Sequence, residues 1–170
     1  MLPDQHIFLL GLPGSGKSTL GLELAQKLQR TFIDTDLLIE EQQQLSISQI
    51  FEEYGESAFR QLESQLLDKL PQEASIIATG GGLPCFNDNM STINAIGTSI
   101  YLEVPEEVLV NRLIDQTAAR PLLQNQTEAE LMQTLRRHLE KRKPYYRRAT
   151  LVVSGVDITS ELILSALQSG

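Results

Sequence analysis

Residues 11–19 read Gly11-Leu12-Pro13-Gly14-Ser15-Gly16-Lys17-Ser18-Thr19. Gly11 and Gly16 enclose four residues and are followed by Lys and a hydroxyl residue, the spacing of a phosphate-cradling P-loop. Its chemistry follows from the residue types. Gly14, Ser15 and Gly16 let successive backbone N–H groups turn inward around an anion, and a helix starting near Lys17 adds its positive end. Lys17 reaches the outer phosphates, Ser18 offers a magnesium ligand, and Thr19 stands in the same turn. An apolar run, Ile7 to Leu10, precedes the loop, and Leu20, Leu24 and Leu28 repeat every four residues after it. Strand, loop and amphipathic helix in that order imply a nucleoside triphosphate site.

Such a site needs a carboxylate beside the loop hydroxyl to hold magnesium, usually where an apolar strand ends. Asp34, closing Thr31-Phe32-Ile33, is one candidate, directly or through water; Glu103, on a later strand, is a rival. Asp36 is two residues on and can grip hydroxyl groups of a second substrate. Capping the next helix is the ordinary alternative for both aspartates. Gly80-Gly81-Gly82 is either a backbone that hugs a ligand or a tight turn. Arg60, alone on its helix, reads as a solvated charge by default. Arg120 stands in a polar stretch from Gln116 to Thr127, where a mobile arginine closing on a transferring phosphate is weighed against a plain surface loop. Seven of the fourteen basic residues lie between Arg136 and Arg148. They form a solvated helical face, or else Arg142 binds an anionic substrate. His138 shares a helix face with Leu131 and Leu135 and reads as packing; Cys85 reads as a small structural side chain.

The elements that must position these residues alternate along the chain. Strands are expected at 7–10, 31–33, 75–79, 98–104 and 151–153. Helices are expected from about Lys17, over 37–70 with breaks near Leu45 and Gly55, after Pro105, over 128–143 and over 158–167. Strands separated by helices imply a parallel sheet with right-handed crossovers and helices on both faces. The P-loop, Asp34-Thr35-Asp36 and the triple glycine each follow a strand, where ligands of such sheets bind.

The chain has 170 residues, 41% of them apolar, and neither repeats nor a linker divide it, so a single domain is expected. A net charge of −8 argues against general nucleic-acid or anionic-membrane binding. One cysteine excludes an internal disulfide, and no Cys/His cluster has metal-site spacing. Met1 to Gln5 is too short and polar for a signal peptide and no apolar run reaches transmembrane length, so a soluble, cytoplasmic protein is expected.

Taken together, Gly11 to Thr19, Phe32-Ile33-Asp34-Thr35-Asp36, Gly55 to Arg60, Thr79 to Gly82, Arg120-Pro121-Leu122-Leu123 and Arg142 to Tyr146 resemble the shikimate kinase family over almost the whole chain. The resemblance implies a three-layer P-loop kinase fold with a five-stranded parallel sheet, a substrate-binding region at about 35–62 and a mobile lid at about 115–127. It implies ATP and magnesium as cofactors and phosphorylation of the shikimate 3-hydroxyl, on the route to chorismate and aromatic amino acids. Shikimate is then the small-molecule partner of a monomer. Under this resemblance Asp36 binds shikimate hydroxyls and helps accept the proton, Arg60 and Arg142 pair with the carboxylate, and Gly80, Gly81 and Gly82 line the pocket. Arg120 is the lid arginine on the ATP phosphates, and Arg112 lies against the adenine. One departure stands out: Ser154-Gly155-Val156-Asp157 carries no basic residue where the family often has one near the base. Rival readings are a gluconate or nucleoside-monophosphate kinase, or a nucleotide-driven switch; the switch lacks its Asp-x-x-Gly and Asn-Lys-x-Asp motifs.

Overall fold

The computed structural model describes residues 4–117 and 127–169. Five strands, β1 (His6–Leu10), β2 (Phe32–Asp34), β3 (Ile76–Ala78), β4 (Gly97–Glu103) and β5 (Leu151–Ser154), form one sheet in the order β2-β3-β1-β4-β5. Every pairing is parallel, with Ile7 opposite Ile76 and Thr98 on either side of β1. The central strand is buried from His6 to Leu10 and apolar from Ile7 onward, as suits a strand covered on both faces. After β1 the chain goes to β2 and β3 on one side, then crosses to β4 and β5 on the other. The P-loop therefore emerges where the winding reverses, the place at which open parallel sheets bind ligands.

Alternation along the strands sorts the core into two layers. Ile7, Leu9, Ile76, Ile100 and Leu102 pack against Leu20 and Leu24 of α1 (Lys17–Leu28) and Ile163 and Leu167 of α7 (Ser160–Ser169). Phe8, Leu10, Ile77 and Tyr101 face the other way. They meet α4 (Asn89–Ile96), α5 (Glu106–Thr117) and α6 (Glu128–Tyr146) through Met90, Ile93, Leu109, Leu113, Leu131, Leu135 and Tyr146. A smaller third cluster, Ile39, Ile50, Phe59 and Leu66, joins α2 (Thr35–Gln43) to α3 (Ile47–Asp68).

Both expected breaks in the long helical stretch occur. Gln44 ends α2 in a left-handed conformation, and a Ser46–Gln49 capping box starts α3. Gly55, at φ 81 and ψ 169, then kinks α3. Two features differ from the sequence expectation. Helix α4 was not anticipated: it has eight residues, and its buried apolar positions Met90 and Ile93 make too brief a pattern to read. Helix α6 runs past Lys143 to Tyr146, because Pro144 removes one N–H without ending the helix when the next turn is tied down by burial.

Candidate active site

Gly16 caps α1 at φ 93, in the left-handed region, and no side chain caps the N–H groups of the first turn. Those donors, with the helix dipole behind them, suit an anion. Lys17 folds over the loop, its Nζ donating to the carbonyls of Gly11 at 2.8 Å and Leu12 at 3.0 Å. The Ser18 hydroxyl donates to Asp34 Oδ2 at 2.8 Å. The other oxygen of Asp34, Oδ1, accepts from the backbone N–H of Asp36 and Leu37 and caps α2. One oxygen of Asp34 thus caps α2 while the other meets the Ser18 hydroxyl. Glu103 is engaged elsewhere, with Arg147 at 2.7 Å and Ser154 at 2.8 Å.

A hydroxyl and a carboxylate in contact beside a phosphate loop are hard oxygen donors. They fit magnesium, which is held by one or two protein oxygens together with phosphate and water. Among the described residues no group of three or more His, Cys, Asp or Glu is arranged to enclose a metal by itself.

The triple glycine organises the second half of the cleft. Each glycine lies against a different charged side chain: Gly80 against the Asp36 carboxylate, Gly81 against the Arg142 guanidinium, and Gly82 against that of Arg60. A Cβ at Gly81 would sit 2.8 Å from Arg142 Nη1, and one at Gly82 would sit 2.5 Å from Arg60 Nη1. Only a bare backbone lets three charged groups from three helices converge on one wall. The Gly80 N–H is fixed by the Thr35 hydroxyl at 2.8 Å, which ties the glycine loop to the start of α2.

Arg60 is not a solvated charge. Its side chain is 12% exposed, stacks on the Phe86 ring at 4.2 Å, and pairs with Glu63 at 2.7 Å and Glu56 at 3.2 Å. Glu63, which the sequence reading passed over, has a side chain 1% exposed, with Oε1 lacking a hydrogen-bond partner among the described residues. Burial, opposed by Arg60, pushes its carboxyl up to about 7. A signal did exist, since Arg60 and Glu63 stand three apart on a helix. Burial also raises Asp36, and the neighbouring Asp34 charge adds to the effect while Lys17 opposes it. Cys85 borders this cluster, and burial lifts its thiol to about 11, so it stays protonated and inert. His138 is half-buried, and burial lowers its pKa, in keeping with a packing role.

Arg112 of α5 reaches both nucleotide-side loops, donating to the carbonyls of Gly14 at 3.1 Å and Val156 at 2.7 Å, with Asp157 3.9 Å away. It therefore clamps the loop after β5 to the P-loop, a contact the sequence did not foretell. Thr19 is exposed on the first turn of α1. Arg120 and Pro121-Leu122-Leu123 lie outside the described residues.

The profile of the shikimate kinase family matches residues 13–169. The chain belongs to that family. A shikimate kinase of Bacteroides fragilis is 44% identical over 148 residues, covering 86% of this chain and 83% of the relative. The crystal structure of shikimate kinase from Bacteroides thetaiotaomicron superposes with a TM-score of 0.88 at 40% identity, covering 97% of this chain and 95% of that one. The enzyme from Acinetobacter baumannii, solved in complex with shikimate, gives 0.81 at 34% identity, covering 97% and 89%. The five-stranded P-loop kinase architecture is thus shared along nearly the whole chain, and this protein is a shikimate kinase by family, not a nucleotide switch.

Proposed function

We propose that this cleft transfers the γ-phosphoryl group of ATP to the 3-hydroxyl of shikimate, giving shikimate 3-phosphate and ADP on the route to chorismate. The observation that carries the reading is the glycine wall, where one carboxylate and two guanidinium groups meet beside a phosphate loop. A small polyol bearing one carboxylate is the complement of that set. Arg60 and Arg142 pair with the carboxylate, and Asp36 accepts from the ring hydroxyls.

The P-loop N–H groups and Lys17 hold the triphosphate; Lys17 exchanges its two loop carbonyls for phosphate oxygens. Ser18 and Asp34 would hold magnesium, which supplies positive charge to the phosphate oxygens when bound. The shikimate oxygen bonds to the γ-phosphorus, the bond to the β–γ bridging oxygen breaks, and the hydroxyl proton passes to Asp36. A carboxylate whose proton affinity is raised by burial and by Asp34 suits that task. Arg112 joins the two loops around the nucleotide, and Arg120, in the lid at about 115–127, closes on the transferring phosphate and excludes water. In this reading the enzyme works as a cytoplasmic monomer on a small molecule; none of the described helices is long and apolar enough to cross a membrane.

Coupled measurement of ADP release tests the reading. Release is expected to need shikimate and magnesium together; faster turnover on gluconate or a nucleoside monophosphate than on shikimate would overturn it.

A further inference from the structure

Tyr146 ends α6 and is fully buried. Its ring packs on Tyr101, centroids 5.0 Å apart and planes inclined at 33°, so the phenol cannot swing freely. The hydroxyl donates to the Gly81 carbonyl at 2.5 Å, and the Arg142 guanidinium, one helical turn earlier, lies against the same glycine. Arg142 Nη1, the Tyr146 hydroxyl and the P-loop carbonyl of Gly11 all lie within 4 Å of where a Gly81 Cβ would point. Burial keeps the phenol protonated, which preserves it as a donor to Gly81.

We propose that Tyr146 is a positioning residue for the acceptor site: its hydroxyl, bonded to the Gly81 carbonyl beside the Arg142 guanidinium, fixes the glycine wall and so confines that guanidinium toward the substrate carboxylate. The inference rests on the reading of Arg142 as a carboxylate ligand given above. An arginine with five donors and a long stem has many orientations to lose on binding; a rigid glycine wall beside its fork removes many of them beforehand. Tyr146 acts through Arg142 and Gly81, so its contribution falls on the acceptor and not on ATP.

Steady-state titration of shikimate and of ATP tests this in Tyr146→Phe, which keeps the ring and deletes the hydroxyl. The shikimate KM is expected to rise about tenfold, the scale of one lost buried hydrogen bond, while the ATP KM stays within about twofold. In an Arg142→Ala background the same change is expected to add less than about twofold, since the two act as one unit. Tyr146→p-aminophenylalanine, which restores a donor at that point, is expected to recover most of the loss. The proposal is overturned if the shikimate KM is unmoved, if both KM values rise together, if the full effect survives without Arg142, or if the amine fails to rescue. An Arg142→Ala enzyme with an unaltered shikimate KM would instead overturn the underlying reading of the site.

Discussion

Asp34 and Asp36 are separated by a single residue yet serve different partners. Asp34 divides its oxygens between the Ser18 hydroxyl and the α2 N-terminus, whereas Asp36 turns toward Gly80 and the acceptor wall. Asp34→Asn should therefore raise the magnesium requirement and depress turnover. Asp36→Asn should nearly abolish shikimate binding and leave nucleotide affinity almost unchanged, each charged hydrogen bond lost costing roughly 1.5–3 kcal/mol. Separate titrations of each variant with shikimate and with magnesium–ATP check the division. If both variants lose the same ligand, the division is wrong. Glu63 makes a distinct prediction. Its folded pKa, about 7, stands above its ordinary value, so the folded chain holds a proton there that the unfolded chain releases. The stability it contributes is present at low pH and is lost as pH rises through 7. Melting curves should show the wild type losing stability relative to Glu63→Gln between about pH 5 and about pH 8. A pH-independent gap would mean the carboxyl is not desolvated.

At the scale of elements, the kink in α3 matters most. Gly55 turns the helix so that Phe51, before the kink, packs on Phe59 after it at 5.0 Å, and the second segment then presents Arg60 and Glu63 to the glycine wall. No neighbour lies within 4 Å of where a Gly55 Cβ would point, so substitution there meets only the cost of positive φ. At φ 81 and ψ 169 the backbone is essentially confined to glycine, so Gly55→Ala should destabilise the fold by about 1–3 kcal/mol, read as a lower denaturation midpoint with unchanged slope. A neutral result would mean that the kink is not retained in solution. The break near Gly55 was legible because glycine interrupts an otherwise apolar-periodic stretch. The continuation of α6 to Tyr146 was not, since proline normally argues for a stop, and only the burial of Tyr146 against Tyr101 overrides that argument.

At the scale of the whole molecule, α2, α3 and α6 bring Asp36, Arg60 and Arg142 to one cleft in a chain of net charge −8. In the proposed reaction, closure over the phosphates is assigned to Arg120, in a stretch of sequence with little apolar content. Arg120→Ala is expected to lower turnover on the order of a hundredfold or more if it acts as an arginine supplied in cis, with little change in unfolding midpoint. Wild-type turnover at saturating ATP would reduce it to a surface charge.

The sequence by itself determined the phosphate loop, the alternation of strands and helices, and the family, because these depend on local spacing: torsions only glycine adopts freely, apolar periods, and motifs at strand ends. It also named Asp36, Arg60 and Arg142, but as separate candidates with solvated or capping alternatives open. Tertiary structure decided which partners they have. Stacking on Phe86 and pairing with Glu63 made Arg60 a buried group, and crossing from β3 to α6 brought Gly81 under Arg142 and Tyr146. It also gave Asp34, not Glu103, to Ser18. The physical reason is range: torsion and periodicity are read over a few residues, whereas the contacts of Ser18 with Asp34, Arg60 with Phe86 and Tyr146 with Gly81 join residues 16 to 65 apart that only folding brings together.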